Sequence, residues 1–383
     1  MTDGASPSRP GGPPFPGAID VHHHWVPPVL RARLAGRAAR DRAFAARFDS
    51  SVRRFARALD DVEGRLRSMD AAGIETAVVA APPPAAEVAE VGARASLARR
   101  INEELLALAE RHPGRFLVAL CLPGPGGRRA GEGARAEGPA PEEAVAVLEE
   151  TSGDRHVRAV SLLAHLDGPM PDEACFGPLY SACEARRLPV LLHPSLDPVS
   201  PAFADWHLGS ALGAPLSTTL VAARLALSGT LDRHPGLDVV IPHLGGVAPY
   251  LYQRLEDQCS PGDAARPLGR YFRDRFYYDT CSFHAPALAC AIETVGADRL
   301  VLGSDYPFRG GAERAVRDLD VLAEPERSLV ASIGPRRLLD AVGTAPVEET
   351  ARGAGRRRRS GPRPPRTARP ARQHTEEAGE YGG

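Results

Sequence analysis

Eight short apolar runs, separated by stretches of helical periodicity, constrain the fold more than any other feature. They are GAIDV (17–21), ETAVVAA (75–81), RFLVALCL (115–122), VRAVSLL (157–163), PVLLH (189–193), DVVIPH (238–243), FYYDTC (276–281) and RLVLGSD (299–305). Most are continuous rather than alternating, the pattern of strands covered on both faces. Helical signals lie between them. DVEGRLRSMDAAG (61–73) ends on a glycine suited to a helix C-terminus, and LARRINEELLALAERHPG (97–114) is amphipathic and stops at His-Pro-Gly. ALACAIETVG again runs to a glycine, Gly296. Strands and helices alternating in this way predict an α/β protein, a (β/α)8 TIM barrel, and a chain of 383 residues accommodates one such barrel.

The ends do not share this pattern. Residues 1–16 are polar and rich in Pro and Gly, so they read as a disordered extension, and 17–345 as the barrel. Residues 346–383 form a disordered Arg/Pro-rich tail by composition; 351–372 carry nine Arg and no acid. GPGGRRAGEGARAEGP (124–139) reads as a loop insertion without the strand and helix spacing of a phosphate cradle. A net charge of −1 gives no global field for nucleic acid, leaving only the basic tail as a contact for an acidic partner. No apolar run approaches the roughly 20 residues of a membrane span, and no signal-peptide pattern opens the chain. Six cysteines without CxxC spacing fit reduced thiols and a cytoplasmic protein. All 47 basic residues are Arg, which excludes a Schiff-base, P-loop or metal-bridging lysine.

In such barrels the chemistry sits at the C-terminal ends of the strands. Those ends carry His22-His23-His24, His193-Pro194, His243-Leu-Gly-Gly and Gly303-Ser-Asp305. Residues i and i+2 of a strand share a face, so His22 and His24 can hold one ion together. His23 points away, and its replacement is expected to leave metal binding unchanged. A lone histidine here would be a hydrogen-bonded core or loop residue. Four such positions converging on one cavity instead suggest a divalent site, Zn²⁺ by donor type with Mn²⁺ also compatible. Without a bridging lysine, the site holds one ion.

H-x-H on strand one, His-Pro after strand five, H-x-G-G after strand six and GSDYPF on strand eight resemble the amidohydrolase superfamily. Within it, they are most similar to the branch of aminocarboxymuconate-semialdehyde decarboxylase. TTLVAARLALSGTLDRHPGLDVVIPHLGGVAPYLYQRLED and FYYDTCSFHAPALACAIETVGADRLVLGSDYPF look like members of the 6-methylsalicylate decarboxylase type. The resemblance covers about 18–343. It implies a metal-dependent-hydrolase type of barrel, with His22, His24, His193 and Asp305 as metal ligands and His243 in acid/base work. It also implies a homodimer in which Arg254 reaches the neighbour's pocket and holds a substrate carboxylate; Arg54 is a same-chain candidate for that task. The sequence departs from the family pattern at Ser-Leu-Asp after His193-Pro194 and at IGPRRLL in the last helix.

The chemistry so implied is non-oxidative decarboxylation of a small hydroxy-aromatic or enol-type carboxylic acid. Protonating the ring carbon avoids a bare aryl carbanion, with Asp305 as proton donor and His243 polarising the substrate. Hydrolysis or hydration by a metal-activated water is the competing reading. A barrel serving only as a binding scaffold is a third. No G-x-S-x-G elbow supports serine catalysis, and Cys281 reads as a packed thiol beside Asp279. Phe203, Trp206 and His284 are candidates to line the pocket. Arg254, eleven residues past His243 and so about three helical turns away, cannot fold back on its own metal. Its plain alternative is a surface ion pair with Glu256 or Asp257.

Overall fold

A computed structural model of the chain describes residues 17–42, 44–45, 55–124, 141–164, 169–195, 201–203, 205–260, 262–308 and 311–343. These fall within one compact unit spanning 1–346. Both terminal extensions, most of the Gly-rich insertion and Arg54 lie outside the described residues.

Eight strands form one parallel sheet in sequence order: β1 (Ala18–His24), β2 (Ile74–Ala80), β3 (Phe116–Cys121), β4 (Val157–Ala164), β5 (Val190–Pro194), β6 (Val239–Ile241), β7 (Phe276–Asp279) and β8 (Leu300–Val301). Each coincides with one of the eight apolar runs. The principal helices are α1 (Pro28–Arg40), α2 (Val62–Ala72), α3 (Arg94–Arg111), α4 (Pro141–Thr151), α5 (Gly177–Arg186), α6 (Ala214–Leu227), α7 (Ala248–Gln258), α8 (Leu268–Asp274), α9 (Ala285–Val295), α10 (Gly311–Asp318) and α11 (Gly334–Asp340). Local chemistry sets their ends. Asp61 caps α2 by accepting a hydrogen bond from the Gly64 N–H (2.8 Å), and Gly73 closes it at φ 73°.

The eighth strand is only two residues long, yet the sheet closes on itself. Val21 N–H donates to Leu302 O, Asp305 N–H to His22 O and His24 N–H to Tyr306 O, each at 2.9 Å. This seam places Asp305 beside the H-x-H of β1. The sheet is covered on both faces, which is why its strands read as continuous apolar runs. Outside, strand residues such as Val79, Val118 and Val160 pack under the helices. Inside, Ile19, Val21, Val78, Ala119, Ala159 and Val240 fill the lumen together with Leu338 and Leu339 of α11. The final helix with the unusual IGPRRLL start therefore contributes to the interior core.

One expectation is corrected here. The helical stretch Gly209–Leu227 is, by length and composition, apolar enough to cross a membrane, with 19 residues and a mean hydropathy of 1.3. Half of it is buried within the protein. Its Arg224 forms a two-bonded ion pair with Asp172 (2.7 and 2.8 Å), and Val221, Ala222, Leu225 and Ala226 are buried.

Candidate metal centre

The strand ends bring four side chains together. His22, His24, His193 and Asp305 each offer a ligand atom, and these atoms lie within 4.8 Å of one another. Nε2 of His22 and Nε2 of His24 face each other at 2.9 Å. They stand 3.5 and 3.3 Å from the same Asp305 carboxylate oxygen. Imidazole nitrogens about 2.1 Å from one ion and at its bond angles lie about 3.0–3.4 Å apart, so this spacing fits a shared cation. Two of the three far nitrogens are engaged. His193 Nδ1 donates to Pro194 O (2.8 Å), and His22 Nδ1 lies 2.6 Å from Asp279 Oδ2. Both rings thereby turn Nε2 inward, the tautomer a metal requires.

Charge and burial act differently on the three rings, and an ion must displace a proton from His22. Burial penalises a charged His22, but Asp279 outweighs that and pushes its pKa up to about 9. Burial and the neighbouring imidazoles hold His24 and His193 below the usual histidine range. Burial works against the Asp305 carboxylate, yet the hydrogen bond from His24 and the charges of His22 and His243 keep it ionised, well below the usual carboxylate range. Without a cation, the cluster is a knot of imidazoles around one carboxylate. A divalent ion satisfies all four donors at once.

His243 stands at the rim, its Nε2 4.0 Å from Asp305 Oδ2. It opens a run of four residues with positive φ: His243 54°, Leu244 56°, Gly245 78° and Gly246 67°. The glycines adopt this freely; His243 and Leu244 do so at a cost. The turn is held by Leu244 N–H donating to Asp279 Oδ1 (3.3 Å) and by Gly246 N–H donating to His243 O (2.9 Å). A Cβ on Gly246 would stand 2.1 Å from Pro215 O. Gly303 is equally constrained, since a Cβ there would lie 2.9–3.0 Å from Asp279 Cβ, Cys281 Sγ and His22 Cβ.

The remaining predicted residues are not gathered here. Trp206, expected as a pocket wall, is 84% exposed, at a turn with φ 53°. Phe203 is half-buried on the short turn Pro201–Phe203. His284 is exposed at the start of α9. Arg254 is exposed on α7 and forms no ion pair among the described residues. Its candidate partners are engaged elsewhere: Glu256 accepts from Gly269 N–H (2.6 Å) and Asp257 from Gln253 Nε2 (2.8 Å). Cys281 is a packed thiol, its N–H donating to Asp279 Oδ1 (3.0 Å).

Three features went unread in the sequence. Asp279 serves His22 and the His243 turn at once. Arg65, fully buried, donates to His24 O (2.6 Å). Phe308 brings its ring 5.8 Å from His24 and 4.9 Å from Phe55, supplying an aromatic wall that the quoted GSDYPF contained. The cavity at this mouth is lined by His22, His24 and His193 with Ala80, Leu191 and Val240 behind them.

Known proteins resemble this chain in sequence and in fold. The sequence pattern of the Amidohydrolase family matches residues 19–340. The gamma-resorcylate decarboxylase of Rhizobium radiobacter is 28% identical over 303 residues, 74% of this chain and 88% of that protein. The 6-methylsalicylic acid decarboxylase of Penicillium expansum is 26% identical over 311 residues, 76% of this chain and 84% of that protein. The crystal structure of a dihydroxybenzoic acid decarboxylase from Polaromonas, with bound manganese and the inhibitor 2-nitroresorcinol, superposes with a TM-score of 0.70 at 24% identity. That superposition covers 85% of this chain and 98% of the other. The family match runs from the second residue of β1 to the last residue of α11 and leaves no barrel element outside it: this chain belongs to the amidohydrolase family.

Proposed function

We propose that the chain is a metal-dependent, non-oxidative decarboxylase of a small hydroxy-aromatic carboxylic acid. The observation that carries this is the convergence of His22, His24, His193 and Asp305 at one barrel mouth, with His243 beside them, in a family whose curated relatives named above are decarboxylases. Those four residues would hold one divalent ion. The imidazole-rich set suits Zn²⁺, and the manganese of the Polaromonas relative makes Mn²⁺ the first ion to load. Such an ion supplies charge stabilisation for the substrate carboxylate and its neighbouring hydroxyl.

The residues of the chain handle the proton. Asp305 is ionised at rest, so it acts as an acid only after taking up a proton. His243, its Nε2 4.0 Å from Asp305 Oδ2, is near enough to pass one through a single bridging water. Asp305 then delivers it to the ring carbon that bears the carboxylate. The bond from that carbon to the carboxylate breaks, its electron pair restores the aromatic ring, and CO₂ leaves. Phe308 and Phe55 offer flat apolar surface for a ring. Six free thiols, three of them buried, support a reducing, cytoplasmic setting. The reading extends to a homodimer in which the exposed Arg254 enters the partner's pocket and clasps the substrate carboxylate.

The test is turnover in D₂O across hydroxybenzoates, with released CO₂ measured and the product read by mass and NMR. One deuterium at the carbon that carried the carboxylate is expected. A product that keeps its carboxylate and gains water moves the reading to hydrolysis or hydration.

A further inference from the structure

The middle imidazole of His22-His23-His24 faces away from the donor cluster and is fully buried. It is not idle. Its ring stacks on Tyr306, centroids 4.7 Å apart and planes within 2°, and the Arg65 guanidinium lies 4.8 Å from the same Tyr306 ring. His23 Nδ1 is 2.7 Å from Asp20 Oδ2. That buried carboxylate also accepts from the Ser304 hydroxyl, and through Oδ1 from Ser304 N–H (3.0 Å) and His22 N–H (3.1 Å). The residues on either side of Asp305 are thus held from one pair: Ser304 by Asp20, and Tyr306 by the His23 ring. Asp305 lies between them at φ 52°, a left-handed conformation that a non-glycine residue keeps only when its surroundings enforce it.

We propose that His23 is a positioning residue for Asp305. Through its stack on Tyr306 and its contact with Asp20, it sets the strained Asp305 backbone so that the carboxylate meets His22 and His24. The inference rests on the metal-centre part of the reading above. It reverses what strand alternation alone predicts, namely that His23 can be replaced without effect on metal.

The experiment measures Mn²⁺ affinity of the full metal-stripped chain by chelator competition, with folding checked by circular dichroism. His23→Asn leaves a donor near Nδ1 but removes the stacked ring; His23→Phe leaves a ring but removes the donor. Tyr306→Leu removes the stack from the other side. Every folded variant is expected to bind Mn²⁺ about 10–100-fold more weakly. In an Asp305→Ala background, the same substitutions are expected to change affinity less than twofold, because the group being positioned is gone. A general structural role predicts equal losses in both backgrounds, and that result overturns the inference. Binding within twofold of the unaltered chain overturns it as well. An unaltered chain that binds no divalent ion overturns the metal-centre reading and this inference together.

Discussion

At the scale of single residues, Asp279 shows how one carboxylate sets the chemistry of others. Oδ2 meets His22 Nδ1, while Oδ1 takes the N–H groups of Leu244 (3.3 Å) and Cys281 (3.0 Å). A carboxylate accepts at both oxygens; an amide accepts at only one. Asp279→Asn therefore turns an NH₂ group either onto two backbone donors or onto His22, where it favours the tautomer that cannot bind metal. Divalent-metal affinity is expected to fall about 10–100-fold, measured by titration of the stripped chain. His243 makes the opposite case. It stands outside the four donors, so His243→Asn should retain metal within about twofold by elemental analysis. Its kcat should fall about 10²–10⁴-fold, the usual worth of a positioned acid or base. A variant with full activity removes His243 from the proton path.

At the scale of elements, the turn after β6 joins α6, α7 and the site. Thr219 Oγ1 accepts from Val247 N–H (2.8 Å) and donates to Pro215 O (2.9 Å), and Gly246 fits against that same carbonyl. Gly246→Ala adds both a left-handed strain and a backbone clash. It should lower stability by about 2–4 kcal/mol in urea unfolding; a change below about 0.5 kcal/mol would show that the turn relaxes freely. This element also marks what was legible in the sequence. His-Leu-Gly-Gly after an apolar run announced a turn carrying a histidine, and the eight runs announced strands because burial on both faces makes them apolar throughout. The work of Asp279 and Arg65 was not legible, since it depends on contacts 257 and 41 residues away along the chain. Nor was the brevity of β8, because the seam is made by β1 bonding to residues beyond that strand. Trp206 misled for a related reason: an aromatic residue type does not say whether its ring meets the chain's own pocket or faces outward.

At the scale of the whole molecule, α6 and α7 each carry a large apolar side chain that one chain leaves exposed. Tyr250 is 83% exposed and stands one helical turn before Arg254, on the same side of α7. Leu220 on α6 is 47% exposed, and Val247, just before α7, donates its N–H to Thr219 Oγ1 within α6. A bulky aromatic next to an arginine that has no ion pair among the described residues suits a surface that meets another copy. The planar guanidinium suits a carboxylate held there by two hydrogen bonds. If Arg254 completes the neighbour's site, activity depends on pairs of chains. An Arg254→Ala chain should retain metal yet lose kcat/KM, whereas a His24→Ala chain should lose metal and be inactive. Mixed under conditions of subunit exchange, the two should form hybrids with one complete pocket: intact metal ligands from the first chain and the arginine from the second. With random exchange, half of the dimers are hybrids, each with one site of two, so recovery approaches a quarter of the unaltered activity. Sedimentation of the active protein as a monomer, or no recovery after exchange is shown by mass-tagged chains, would remove the arginine from the neighbour's pocket and confine recognition of the carboxylate to the chain's own mouth.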